Sequence, residues 1–306
     1  IYIIQRMIIK IGNNNLYHDE LNKIDKIIRN YYVYIIDVLK ELLICSDISN
    51  VNIILGHNNF KFDNSNKTYN IFYNIEHPLI KQESPTGWAC SGKIIYNDNK
   101  RYRVRLDKAS CFNNKNIILD YSLPNIHNVQ TSMIYKHLNK KFCYLAPCLI
   151  NKFLVNDNKR EICLLTTFMN TNIPRRIKLK NELAKNKLSY KNVNTVFTVE
   201  NMIKLYNNTK ILINIHQTDY HDTFEELRVL PALLCGTIVI CENSPLNELI
   251  PYNNLLIWCS YDDMVNKVKD VCENYDVYYN KIFTSDNIKI LNNLHTENIN
   301  LLKRHI

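Results

Sequence analysis

ILINIHQTDYHDTFEELRVLPALLCGTIVICENSPLNELIPY, residues 211–252, is the stretch that decides how this chain folds. It opens on a short apolar run, 211–215, of the kind found in strands buried on both faces. A polar loop, 217–222, follows, and residues 223–234 then carry apolar positions at helical spacing. Thr223 with Glu226 three residues on has the spacing of a capping box. Gly236 stands where a helix C-terminus favours a residue free to adopt positive φ. A second apolar strand, 237–241, ends at Glu242-Asn243, and Ser244-Pro245 has the cap and first-turn proline of another short helix, 244–250. In open α/β sheets ligands gather beyond the carboxyl ends of the strands. Two helix N-termini and two polar strand ends are thus expected around one crevice, a setting suited to a diphosphate.

The same alternation extends in both directions. Towards the C-terminus, 255–258 reads as a strand, 262–275 as a helix, and 278–306 as a helical tail without a strand partner. Towards the N-terminus, 161–166 is a strand, 175–186 a helix, 195–199 a short strand and 202–207 a helix. The polar stretch 151–159 has no apolar period and marks a domain boundary. Before it, strands are read at 7–11, 51–55, 69–75, 116–119 and 142–145, with a long helix over 18–43 and another over 125–138. Residues 93–96 and 101–106 flank Asn97-Asp98-Asn99-Lys100 and predict a β-hairpin. Strand–helix–strand order argues for parallel sheets with crossover helices. The expected architecture is α/β, two doubly wound, Rossmann-like domains in tandem. They span 1–150 and 151–285, and a last helix, 286–306, returns to the first domain.

Composition agrees with a globular enzyme and excludes several other classes. The 306 residues are 46% hydrophobic and 22% charged, and 38 Lys and Arg against 29 acids give a net charge of +9. Excess positive charge gathers anionic substrates as well as polyanions. The basic residues are spread out, apart from Lys100-Arg101-Tyr102-Arg103-Val104-Arg105, which falls short of a continuous basic stripe with interleaved aromatics. Nucleic acid is therefore not expected as a partner. The ten Cys include no CxxC pair, so no zinc site is expected. Cys45, Cys143, Cys163, Cys235, Cys241 and Cys259 lie in or beside apolar runs and read as buried, reduced thiols of a cytoplasmic protein. No apolar run approaches the ~20 residues of a transmembrane helix. The chain starts at Ile1 rather than Met, as expected for a domain cut from a longer protein or one carrying a short extension.

At ALLCGTIVICENSPLNELI (232–250) the chain resembles group-1, family-4-like glycosyltransferases of the GT-B fold, whose signature runs A-x-x-x-G-x-x-V-I before a loop and a Glu-bearing helix. KLYNNTKILINI and LLIWCSYDDMVNKVKDVCENYDVYYNKI are similar to the flanking elements of that family, and the resemblance covers 195–282. NIEHPLI and EELRVLPALLCG are also similar to glycosyltransferase-like genes of large DNA viruses, for which the compartment would be the host cytoplasm. The resemblance implies a nucleotide-sugar donor, UDP- or GDP-linked, in the C-terminal domain. It also implies a glycan or related acceptor in the cleft between domains, and transfer of a hexosyl or deoxyhexosyl group without metal or other cofactor. One departure stands out. Alignment on Gly236 puts Thr223 and Pro231 where such enzymes often carry two Glu seven residues apart, leaving Glu225 and Glu226 as displaced substitutes and the stereochemistry open.

Candidate donor contacts are Arg175, Arg176 and Arg228 for the diphosphate, and Glu226, Glu242, Asn243 and Ser244 for hydroxyls or phosphate. His216 and Thr223 border the loop. Glu225 joins the catalytic candidates, and Glu248 matches the family's helix Glu. His216 and His221, five apart in a loop, have the residue type for a metal but stand as substrate contacts or loop residues. In the first domain His57, Glu76, His77 and Asp120 each follow a strand, so parallel pairing would set them along one edge. An inverting reaction needs a base there to take the acceptor proton, and His77 or Asp120 is expected in that role. His57, Glu76, Tyr121 and Asn125 are the expected acceptor contacts. The alternative reading is a catalytically inactive GT-B-like binding domain of a larger protein.

Overall fold

The computed structural model describes residues 8–11, 14–17, 34, 38, 50–55, 68–74, 78–81, 91–95, 101–104, 117–132, 142–154, 159–168, 171–194 and 198–305. The chain divides into two compact units, Ile1–Leu145 with Glu297–Ile306, and Ala146–Thr296.

The first unit holds strands β1 (Ile8–Ile11), β2 (Asn14–Tyr17), β3 (Asn50–Leu55), β4 (Thr68–Asn74), β5 (Leu79–Lys81), β6 (Ser91–Ile95), β7 (Arg101–Val104), β8 (Ile117–Asp120) and β9 (Phe142–Tyr144). β1, β3, β4, β8 and β9 form a parallel sheet in that order, with β2 antiparallel on its edge. β5, β7 and β6 make a separate antiparallel sheet, in which β6 and β7 form the expected hairpin. Ile71, Phe72, Tyr73, Ile117, Ile118 and Leu119 are all buried. Consecutive buried residues on adjacent strands mean that both faces of this sheet are covered. Helix α1 (Leu123–Thr131) follows β8 directly, beginning with Pro124 in its first turn. Of the long N-terminal helix expected over 18–43, Tyr34 and Val38 are helical and buried. The Tyr34 hydroxyl accepts a hydrogen bond from the buried Asn298 amide at 2.9 Å.

The second unit contains β10 (Ile162–Thr166), α2 (Pro174–Lys185), β11 (Tyr190–Asn192), α3 (Val199–Asn207), β12 (Thr209–Asn214), α4 (Glu226–Leu234), β13 (Ile238–Glu242), β14 (Ile257–Cys259), α5 (Met264–Glu273), α6 (Tyr275–Ile282) and the start of α7 (Ser285–His305), whose residues from Glu297 on belong to the first unit. All five strands are parallel, in the order β11-β10-β12-β13-β14. Numbered within the unit that is 2-1-3-4-5, a doubly wound order whose reversal falls between β10 and β12. In the first unit the described parallel strands run in chain order without such a reversal.

Helix α4 ends as the sequence predicts. Gly236 has φ 67° and donates to the Leu233 carbonyl at 2.9 Å, while Thr237 donates to Ala232 at 3.0 Å, the paired bonds of a Schellman motif. Its start differs from expectation. The helix begins at Glu226, with Glu225 before it and no side-chain cap, so Thr223 and Glu226 form no capping box. Phe224 is the reason: it is buried and packs on Trp258 with ring centroids 4.9 Å apart. The backbone must turn inward to place that ring, which delays the helix. Pro231 lies inside α4, a placement worth about 3 kcal/mol of helix destabilisation. Burial of seven of the nine residues offsets it.

Three further expectations change. In place of a helix over 244–250 there is a single 3-10 turn, Asn247–Leu249, entered through Leu246 at φ 61°. Ser244 bonds a histidine ring instead of capping. Val199, expected at the end of a strand, opens α3, which Thr198 caps by accepting from Asn201 N–H at 3.3 Å. The edge strand is β11 instead. Finally, Cys143, Cys235, Cys241 and Cys259 are buried, but Cys163 is exposed, because it lies near the start of β10, before both faces become covered from Leu164 on. Cys45 lies outside the described residues.

Candidate functional site

The reversal of strand order in the second unit places one corner apart from the rest. Connections from β10 and β12 leave the sheet in opposite directions there, opening a crevice beyond their carboxyl ends. Into that corner come the start of α2 and the loop 215–225 that leads into α4.

Arg175, in the first turn of α2, is the centre of it. Its Nη1 and Nη2 donate to both carboxylate oxygens of Glu242, at 3.2 and 2.6 Å. Nη1 also reaches the His216 carbonyl at 3.2 Å, and Asp219 forms an ion pair with Nε at 2.6 Å. The guanidinium lies 4.1 Å from the centroid of the Tyr261 ring, and the Tyr261 hydroxyl donates to the Arg175 carbonyl at 2.6 Å. Glu242 additionally accepts from the His216 N–H at 2.9 Å. One bidentate pair thus locks the end of β13, the start of α2 and the loop after β12 together. Arg175 and Glu242, both expected on the donor, are instead each other's principal partners.

The neighbouring Arg176 is 2% exposed and lies with its guanidinium 4.6 Å from the Phe168 ring centroid. Burial, and then repulsion from Arg228, push its pKa down to about 10, with Glu225 opposing the shift. It remains a cation at neutral pH. Arg228 pairs with Glu225 at 2.7 Å and keeps 26% of its side chain exposed. Two guanidinium groups close enough to repel each other therefore stand at the entry to α4, where backbone N–H groups carry the positive end of the helix dipole. An anion seated between them would relieve the repulsion. Glu226 is fully buried and accepts a hydrogen bond from the Tyr252 hydroxyl at 2.7 Å.

His216 and Ser244 meet on the same edge. The His216 Nε2 lies 3.0 Å from the Asn243 carbonyl and 3.3 Å from the Ser244 hydroxyl. His221 is held separately, with Nδ1 2.6 Å from the Thr218 hydroxyl. The two histidines thus have different partners, and no group of three or more metal-type ligands occurs among the described residues. Thr223, Glu225, Glu226, Arg228, Glu242, Asn243 and Ser244 are brought to one edge of the sheet. Glu248 sits apart, in the 3-10 turn.

In the first unit Asp120 ends β8 and is fully buried. Its Oδ2 accepts from the Asn74 amide at 2.6 Å, and its Oδ1 accepts from Ser122 N–H at 2.9 Å and the Asn125 amide at 3.1 Å. Tyr121 and Asn125 are likewise 0% exposed. These three were expected to act on an acceptor. Asp120 and Asn125 are bonded to each other and tie the β8–α1 turn to the end of β4, while Tyr121, between them in sequence, is buried. His57, Glu76 and His77 lie outside the described residues.

Sequence reasoning passed over Phe168, Asp219, Tyr252 and Tyr261. Only Tyr261 carried a signal, since it follows an apolar strand just as Glu242 does.

No protein-family model matches the chain. It is 28% identical over 276 residues to an uncharacterised protein of Acanthamoeba polyphaga mimivirus, covering 85% of this chain and 89% of that one. Among solved structures it is similar to TarM, with a TM-score of 0.46, 10% identity, and coverage of 90% of this chain and 57% of TarM. An α1,3-fucosyltransferase aligns with a TM-score of 0.40 and 15% identity over 92% of this chain and 82% of that one. A glycosyltransferase from Rickettsia africae ESF-5 aligns with a TM-score of 0.46 and 12% identity over 97% and 87%. No helix among the described residues is long and apolar enough to cross a membrane.

Proposed function

We propose that this chain is a glycosyltransferase of GT-B type that moves a hexosyl or deoxyhexosyl group from a nucleoside-diphosphate sugar to a hydroxyl of a glycan or related acceptor. The observation that carries the reading is the pair of guanidinium groups at the strand-order reversal, buried Arg176 and the Glu225-paired, partly exposed Arg228, beside the start of α4. Departure of a nucleoside diphosphate builds negative charge on the leaving oxygen, and preorganised cations and N–H dipoles lower that barrier. Arg176 and Arg228 are proposed for the diphosphate. Thr223, His216, Asn243 and Ser244 are proposed to border the sugar and ribose, with Glu225 orienting Arg228. Arg175 and Glu242 act as positioning residues, fixing the loop that frames the corner. No metal is invoked, because the two arginines supply the countercharge. For an inverting reaction His77 is the proposed base, with His57 and Glu76 beside the acceptor.

The alternative, an inactive binding domain of GT-B type, is favoured by the engagement of Arg175 with Glu242 and by Thr223 and Pro231 at the positions of the family's glutamates. Calorimetric titration with UDP, GDP and their sugar conjugates, followed by donor-hydrolysis assays, separates the two. The enzyme should bind one nucleotide and slowly hydrolyse its sugar, and Arg228→Ala should weaken binding and cut turnover about 100-fold or more. Nucleotide binding with no turnover for any donor and acceptor supports the binding domain. Failure of every nucleotide to bind rules out both.

A further inference from the structure

Outside the corner, one side-chain pair has no part in the proposed chemistry. Cys163, on β10, and Cys272, in the last turn of α5, have their Sγ atoms 3.9 Å apart. Cys163 is exposed and Cys272 half-buried, whereas every other described cysteine is buried. β10 and β12 pair through Ile162↔Thr209 and Leu164↔Ile211, which sets Cys163 beside Lys210. The Lys210 ammonium in turn lies 4.9 Å from the Tyr275 ring centroid.

We propose that Cys163 and Cys272 form a modification site: a reversible intramolecular disulfide, closed by exchange with a low-molecular-weight disulfide, that clasps β10 to α5. Closing the bond needs the sulfurs to approach from 3.9 Å to the ~2 Å of a disulfide. The chemistry favours Cys163 as the attacking sulfur. The hydrogen bond with the Cys272 thiol, with the Lys210 charge assisting, brings its pKa down to about 6 against the cost of burial. Cys272 is shifted upward by the same partnership. A thiol of this kind is largely thiolate at neutral pH. Cys235 and Cys259 are pushed up to about 12 by burial and stay inert.

The electrons and atoms balance in two exchanges. The Cys163 thiolate, its proton already given up to solvent, attacks one sulfur of R–S–S–R, forming Cys163–S–S–R and releasing RS⁻, which takes a proton from solvent. The Cys272 thiol then loses its proton and attacks the Cys163 sulfur, closing Cys163–Cys272 and expelling the second RS⁻, which leaves as RSH. Two thiols are oxidised and one disulfide is reduced to two thiols. Because Cys163 is near the start of β10, the clasp sits at the opposite end of the strand from the cationic corner.

The test treats the full chain with oxidised glutathione at neutral pH, under native conditions, and maps disulfides by peptide mass spectrometry. A Cys163–Cys272 linkage that dithiothreitol reverses is expected, with Tm raised by ~5–10 °C for a bond that closes so long a loop. In Cys272→Ser the expected product is a glutathione mixed disulfide at Cys163, with no rise in Tm. The proposal is overturned if the unaltered chain stops at that mixed disulfide, if the oxidised pair involves any other cysteine, or if no native oxidation occurs while the unfolded chain oxidises readily.

Discussion

The carboxyl ends of β8 in the first unit and β13 in the second each carry an acidic residue, Asp120 and Glu242, and the two carboxylates do different work. Asp120 is fully buried, and its described partners include two amides and a backbone N–H. Glu242 is answered by a guanidinium and lies beside a crevice. The described bonds of Asp120 serve one turn, tying the start of α1 to the end of β4. The strand order reverses only in the second unit among the described strands, and there helix starts and loops must leave in opposite directions. Arg175 joins the separate segments meeting there through several N–H donors of one guanidinium. A strand-end carboxylate is therefore not by itself a mark of chemistry; the topology around it is.

The contrast can be broken most directly at Asp120. Asp120→Ala leaves the buried Asn74, Ser122 and Asn125 donors without their acceptor, and should cost about 3 kcal/mol or more. Urea unfolding should show that loss while nucleotide affinity in the second unit stays within twofold. A drop in affinity without a drop in stability would return Asp120 to the reaction.

Arg175→Ala should come next, at about 2–3 kcal/mol, because it strands Glu242 and unfastens three segments. Here loss of stability should accompany loss of nucleotide binding, and a variant with unchanged urea midpoint would show that Arg175 is not the fastener. Tyr252→Phe removes a single hydrogen bond to buried Glu226 and should cost about 1–2 kcal/mol. Arg228→Ala should change the ligand-free midpoint by less than about 1 kcal/mol, since its ion pair is partly exposed. Its signature is instead the loss of stabilisation by added nucleoside diphosphate.

The remaining test is a pH dependence. Cys163 has a folded pKa lowered to about 6 from the usual 9.0 of a thiol in an unfolded chain. A depressed pKa favours the deprotonated group in the folded state, so the contribution to stability is fully present above about 9 and is lost as pH falls towards 6. The raised pKa of Cys272 acts in the opposite sense, above the ordinary thiol range. Cys163→Ser should flatten the stability profile between pH 6 and 9, and an unchanged profile would remove the thiolate from the account.

Much of the second unit was legible in the residues because its signals are local. β10, β12, β13 and β14 are short apolar runs, and Gly236 marks the end of α4 by a conformation that glycine adopts without strain. β11 was missed because Tyr190, Lys191 and Asn192 have no apolar pattern, as befits an edge strand with little to bury. The start of α4 was misplaced because Thr223 and Glu226 satisfy a local rule that a buried ring overrides. In the first unit Asp120 looked functional since its position after a strand was visible, and its three partners were not.

The order of residues alone determined that this is an α/β chain of parallel strands, with polar groups delivered to the carboxyl ends of the strands. Those properties follow from hydrophobic period and backbone preference over a few neighbouring positions. Which strands lie side by side, where their order reverses, and that Arg175 belongs to Glu242 were decided only by the tertiary structure. The two are 67 positions apart, and a pairing at that separation arises from packing whole elements together, a cooperative choice that no short window of sequence contains.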